Sequence, residues 1–464
     1  MKRILIAISF IIMGLFNTSC STTQKIELMK PEPDDAPPIK YPVTSSYVSF
    51  PINLTVKDIE KQTNKALNGL IYNDTILDDD DTEVKIWKNA PILISQEGER
   101  LKTIVPLKIW AKVKYGTSAL GLNLYDVREF NLNGTVTLLS DIKMTNWKVT
   151  TQTELQDIQW NESPTVSIAG REMKITYLIN PTIRIFRSKI ERMIDESMGK
   201  TLDFKSNILE MMQKVAEPVE MSSTYHTWLK VTPQELYATE AKLEKNAVNM
   251  NVGLKCLMES FIGQKPKPAY DKSKMTLKPI ANLPDRVVAN ITAVSTYQEA
   301  SRIMNENFKG KVFSSGKRKI TVQNVEIWHK RSKMIIALDM TGSINGRIYL
   351  AGFPQYNPDT KELYFDDLDY ALETKSKLMK SANWLFQSMI LLKLKESCRY
   401  SIQPNLEEGK KNMLKYLNNY SPMPGVFVNG KMNDIVFEKV QLTNTSIVAF
   451  LNITGSIKVN INGM

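Results

Sequence analysis

Leu101-Lys102-Thr103-Ile104-Val105-Pro106-Leu107-Lys108-Ile109-Trp110-Ala111-Lys112-Val113-Lys114-Tyr115 is the stretch that decides the fold of this chain. Its odd positions are Leu101, Thr103, Val105, Leu107, Ile109, Ala111, Val113 and Tyr115, while Lys102, Lys108, Lys112 and Lys114 fall between them. Alternation with a period of two gives an extended strand one apolar and one cationic face. Fifteen residues at ~3.3 Å each reach ~50 Å, far beyond the usual five or six residues of a strand. So the chain builds long sheets.

The pattern recurs. Met334, Ile336, Leu338, Met340, Ile344, Ile348 and Leu350 alternate in the same way, as do Met250, Val252, Leu254, Cys256, Met258 and Ile262. Ile447, Ala449, Leu451, Ile453, Ile457, Val459 and Ile461 close the chain. Sheets of this kind are antiparallel and half-wet, each with one apolar face to cover. Helices are available to cover it. Ile183, Phe186, Ile190, Met193 and Ile194 fall at helical spacing within a helical segment over 181–216, which continues through Met211 and Met212 after a break at Gly199–Lys200. A second helical segment over 374–417 carries Leu378, Leu385, Phe386, Met389, Ile390, Leu392 and Leu394. These patterns predict an α+β fold in which long, highly twisted antiparallel sheets wrap around long amphipathic helices. Where a groove stays open between helix and sheet, Ile183, Phe186, Ile190, Met193, Leu385, Met389 and Leu392 are its candidate apolar lining. Periodicity does not distinguish an open groove from a filled one.

Two parts of the chain resemble each other. Val84-Lys85-Ile86-Trp87-Lys88 returns as Val325-Glu326-Ile327-Trp328-His329. An extended stretch and an amphipathic helix precede each copy; a long strand, a helical segment and a hairpin follow it. The same order of five elements predicts an internal duplication. A Pro-rich stretch with Pro266, Pro268, Pro279 and Pro284 separates the copies. The expected organisation is a first module over residues 45–265, a linker over 266–284 and a second module over 285–464.

The N-terminus reads as an export signal. Lys2 and Arg3 precede an apolar run, Ile4 to Phe16, and then Asn17-Thr18-Ser19-Cys20. The run is shorter than the ~20 residues of a membrane span. Cys20 at the cleavage point resembles a bacterial lipoprotein signal, with Asn17 a departure from its usual aliphatic residue. That resemblance implies a signal peptide over residues 1–19, lipidation of Cys20 and a membrane anchor. Residues 20–44, with five prolines, read as an extended tether. Without residues 1–19 the chain keeps 58 basic against 49 acidic side chains, spread too evenly to indicate nucleic-acid binding. Cys256 and Cys398 remain, too few for a disulfide framework, and whether they pair is open.

Motifs for chemistry are missing. The sequence contains no G-x-S-x-G, H-E-x-x-H, P-loop or G-x-G-x-x-G. His329 reads as a surface residue, and His226 has no acidic orienter at recognisable spacing. Asp78 to Asp81 read as a solvated turn, because the spacing and glycine of a Ca²⁺ loop are absent. No catalytic residue, metal site or cofactor is expected. Methionine is abundant, with Met193, Met198, Met211, Met212, Met379 and Met389 on helical segments; they suit either a packed core or a deformable apolar channel.

The lipoprotein start, Ser49-Phe50-Pro51-Ile52 before its helix and Trp228-Leu229-Lys230-Val231-Thr232-Pro233 before a long hairpin resemble an uncharacterised family of Bacteroidota lipoproteins of about this length. The duplicated plan of helix and long sheet is also similar to the tubular lipid-binding superfamily that includes bactericidal/permeability-increasing protein. That similarity implies an elongated apolar tunnel in each module and transfers no ligand residue. Two functions follow as expectations. The first is a non-enzymatic, membrane-anchored binder or carrier of a lipid or other amphiphile. The second is a structural lipoprotein whose packed modules dock envelope proteins. Location at the outer membrane, facing the periplasm, is expected, with surface display as the alternative.

Overall fold

The computed structural model describes residues 24–461 apart from 27, 120–121, 146–147, 162–164, 169–170, 175, 202–204, 372–373 and 375–388. The expected signal peptide and Cys20 lie outside the described residues. The first half runs β1 (Gln24–Ile26), β2 (Ser46–Thr55), α1 (Val56–Ala66), β3 (Thr82–Lys88), β4 (Leu93–Glu97), β5 (Arg100–Ala119), β6 (Leu122–Thr145), β7 (Lys148–Trp160), α2 (Thr176–Thr201), α3 (Lys205–Val215), β8 (Thr227–Ala238) and β9 (Ala247–Ile262). The second runs β10 (Val287–Thr296), α4 (Tyr297–Phe308), β11 (Arg318–Lys330), β12 (Lys333–Gly342), β13 (Ile344–Gly352), α5 (Met389–Ser397), α6 (Gln403–Leu414), β14 (Val426–Met432), β15 (Val436–Leu442) and β16 (Ser446–Ile461). Shorter strands complete the sheets. The fold is α+β.

The deciding stretch lies in β5, which pairs with β6 in unbroken antiparallel register from Leu101↔Ser140 to Ala119↔Leu122. Leu101, Thr103, Val105, Leu107, Ile109 and Ala111 are all buried, as the alternation requires. Pro106 sits where β5 exchanges one neighbour for another. Its other edge pairs with β4 up to Ile104 and with β3 from Leu107 onward. The Pro106 carbonyl accepts from Asn89 N–H on that side, so the missing proline N–H faces the gap between β3 and β4, where no ladder bond is lost.

The strands of the two halves merge in the middle. β2 pairs antiparallel with β9 from Ser46↔Cys256 to Thr55↔Ala247. The far end of β9 runs parallel to β10, Met258↔Ile291 to Phe261↔Val294. β10 pairs antiparallel with β16, and the end of β16 returns to β2 at Ile52↔Val459. β9, β2, β16 and β10 thus form a closed cycle of pairings inside one eleven-stranded sheet. Residues 266–284 pack on the first half rather than spanning a gap: Leu277–Pro279 pairs in parallel with β8, and Met275 joins the first core.

Helices α1 and α4 hold their sheets in matching ways. Thr55 accepts from Asp58 N–H and Thr296 from Glu299 N–H, each capping a helix. Asn64 then donates to Ile92 C=O and accepts from Ile92 N–H, both at 2.8 Å. Asn305 does the same to Val325, at 2.6 and 2.7 Å. One turn earlier, Glu60 accepts from Ile94 N–H and Ser301 from Ile327 N–H. The geometry therefore matches Val325–Ile327 with Ile92–Ile94. The repeated word led elsewhere: Val84–Lys88 lies in β3, opposite Leu107–Ala111.

Three further expectations are corrected. The helical segment over 374–417 is interrupted: α5 stops at Ser397, Tyr400–Ser401 pairs with Glu362–Leu363, and α6 restarts with Pro404 in its first turn. The second sheet is not half-wet. Ile335 and Ala337 are buried on the face opposite Met334, Ile336 and Leu338, because the N-terminal segment covers it. β1 pairs with β13, Leu28 packs on this face, and Trp328 Nε1 donates to Pro31 C=O at 2.8 Å. His329, expected at the surface, is buried under the same segment with Nδ1 2.8 Å from Asp34 Oδ2.

The asparagine clamps give the first test. Asn64→Ala strands the N–H and C=O of fully buried Ile92, and Asn305→Ala those of Val325. Each loss should cost about 3 kcal/mol, read as a lowered denaturation midpoint, while Lys57→Ala on the exposed side of α1 should leave the midpoint within about 0.5 kcal/mol.

Candidate functional site

The second half and the central sheet line a half-open apolar cavity of about 530 Å³. Its floor is sheet: Ile291 and Ala293 of β10, Ala449 and Leu451 of β16, Leu229 of β8 and Ile262 of β9. Ala300, Ile303 and Met304 of α4 form one wall, Leu406 and Met413 of α6 another, and Phe437 and Val440 of β15 a third. Small side chains make the room. Ala293, Ala300, Ala449 and Gly409 all face the space, and a Cβ on Gly409 would meet nothing closer than Ile435 Cδ1 at 3.9 Å. The volume falls within the ~300–1,000 Å³ of small-molecule sites.

The β16 alternation aims at this cavity. Ile447, Ala449 and Leu451 are only half-buried because they border open space, whereas Val448 and Phe450 on the opposite face are buried.

Polar groups gather at one side of the lining. Tyr400 Oη lies 2.8 Å from Tyr225 Oη and 3.0 Å from Asn405 Oδ1. Burial first, and the Tyr225 hydroxyl second, raise the Tyr400 pKa. This contact joins a turn before β8 to the segment between α5 and α6, so the cavity belongs to both halves. Asn412 adds a second tie by donating to Met221 C=O at 2.7 Å. Lys311, Arg399 and buried Cys398 complete this side. Burial pushes the Cys398 thiol up to about 12, with Lys311 pulling the other way. Cys256 and Cys398 are both free thiols. Among the described residues, no group of three or more His, Cys, Asp or Glu is placed to hold a metal ion, and no helix is long and apolar enough to cross a membrane.

The residues expected to line a groove fall elsewhere. Ile190 is 1 % exposed in the first core and Met193 packs against that core. Leu392 is 48 % exposed, while Ile390 and Leu394 form the inward side of α5. Leu385 and the side chains of Ile183, Phe186 and Met389 lie outside the described residues. Met198 and Met212 are buried in the first core; the methionines at the cavity are Met221, Met304, Met334 and Met413. The small residues on β10, β16 and α6 were the signal that could have found the site.

The chain belongs to the family described as a domain of unknown function, DUF4403, whose model matches residues 44–461. No curated protein matches it. Among solved structures, it is similar to the crystal structure of lipopolysaccharide binding protein at 9 % identity, covering 90 % of this chain and 99 % of that one with a TM-score of 0.25. It is also similar to the crystal structure of P47 of Clostridium botulinum E1 at 10 % identity, covering 88 % and 98 % with a TM-score of 0.19.

Two outcomes check the site's physical description. Gly409→Ala should stabilise the protein by about 0.5–1 kcal/mol, seen as a raised Tm, because helical glycine is costly and the added methyl has space. Iodoacetamide at pH 8 should alkylate Cys398 about a thousandfold more slowly in the folded protein than in the unfolded chain, where the thiol returns to its ordinary pKa of ~8.5.

Proposed function

We propose that this protein is a non-enzymatic envelope lipoprotein that binds or carries a lipid or similar amphiphile. The observation that carries the reading is the apolar cavity between α4, α6 and the shared sheet. Transfer of each CH₂ from water into such a space contributes ~0.8 kcal/mol, so a short acyl segment supplies useful affinity without any catalytic group. In this reading residues 1–19 direct export, and a lipidated Cys20 holds the protein at the outer membrane facing the periplasm. The two halves descend from one duplicated module. A structural role has one observation in its favour: Ile190, Ile194 and Met198 of α2 are packed solidly in the first half.

Mass spectrometry of organic extracts from gently purified protein separates the two. The carrier reading expects about one amphiphile per chain, falling at least tenfold in Gly409→Leu, whose side chain enters the cavity while the helix is kept. Extracts without lipid from wild-type protein, together with no binding of added amphiphiles, contradict it and favour the structural role.

A further inference from the structure

We infer that the cavity's occupant is a single-chain amphiphile with an anionic head, a carboxylate or a phosphate, and that Lys311 beside Arg399 receives that head. This rests on the amphiphile reading and specifies the ligand class for the same site. The described lining contains two cations, Lys311 and Arg399, and neither aspartate nor glutamate. An apolar space with charge of one sign at its edge selects for the opposite charge in its ligand.

The two cations are not equivalent. Arg399 is partly answered already, with Nη1 3.8 Å from Glu362 Oε2 and its guanidinium over the Tyr364 ring. Lys311 Nζ lies 4.7 Å from the centre of the Phe308 ring and has no carboxylate within ion-pair distance among the described residues. Its backbone is fixed on both sides. Lys311 N–H donates to Phe308 C=O, and its own carbonyl accepts from Val322 N–H, each at 3.0 Å. The ammonium is also close enough to Cys398, the chain neighbour of Arg399, for its charge to act on that thiol. Phe308 and Cys398 are themselves cavity residues. The charge therefore stands at the boundary between water and the apolar space, where an amphiphile places its head.

The volume limits the rest of the ligand. About 530 Å³ is the scale of one compact chain, within the range of small-molecule sites.

The test uses the whole chain from residue 20, with Cys20→Ser so that no detergent is needed, and isothermal titration below the micellar range. The probes are dodecanoate, dodecyl phosphate, the neutral glycerol monoester of dodecanoate, and inorganic phosphate alone. Both anionic chains should bind at least tenfold more tightly than the neutral one, and the preference should shrink as KCl is raised. Lys311→Gln should bring the preference below about twofold, with a circular-dichroism spectrum and Tm like those of the wild type showing that the variant is folded. Arg399→Gln should reduce it less. Equal binding of charged and neutral chains in the wild type overturns this inference and leaves the amphiphile reading standing, as does a preference that survives Lys311→Gln. Stoichiometric binding of inorganic phosphate with no gain from the alkyl chain overturns it in favour of a small-anion site. Failure of every probe overturns the amphiphile reading and this inference together.

Discussion

Everything in this molecule depends on the division of two long strands between two halves. β9 gives its first ten residues to β2 and its last part to β10; β16 gives most of its length to β10 and its end to β2. A strand's unpaired N–H and C=O groups are costly when buried, so separating the halves means breaking ladders throughout the middle of the sheet. The halves are therefore fixed relative to each other by backbone hydrogen bonds, over and above side-chain packing. The cavity inherits this rigidity, because its floor is the shared sheet and its polar side is tied across the halves by Tyr225 and Tyr400.

A tightly packed interior leaves few voids larger than a water molecule, and an unfilled apolar space forfeits dispersion contacts along its lining. Here the space persists because small residues stand where large ones would close it. Ala293, Ala449 and Gly409 sit on rigid elements that cannot collapse inward: two strands are locked in register, and α6 is pinned by Asn412. The first half shows the contrasting outcome. There Ile190, Ile194 and Met198 are buried in the first core, and Thr63 on α1 donates to the Met198 sulfur.

How much of this was readable in the chain follows from which forces are local. Alternation from Leu101 to Ala111 located β5 and its buried face, since period-two patterning follows from strand geometry itself. The helix starts were equally readable in Thr55-x-x-Asp58 and Thr296-x-x-Glu299, although only the apolar spacing had marked those helices. Long-range pairing was hidden. Nothing near Trp328 or His329 announces that residues 28–34 will cover them; only the continuous apolar run Met334–Leu338 hints at burial on both faces. The word shared by Val84–Lys88 and Val325–His329 does not mark matching contacts, whereas the asparagines at 64 and 305, which make the matching clamps, resemble ordinary surface polarity. The cavity was least legible of all. Large apolar residues point to where a core is, and the site lies where they are replaced by small ones.

The most direct test of a ligand space at the joint is photo-crosslinking with a fatty carboxylate carrying a diazirine near the end of its chain, followed by peptide mapping. Adducts should concentrate on the α4 peptide containing Ile303 and Met304, the α6 peptide containing Met413, and the β16 peptide containing Leu451. Adducts confined to α2 in the first half, or scattered over the outer surface with these three peptides unlabelled, would contradict it.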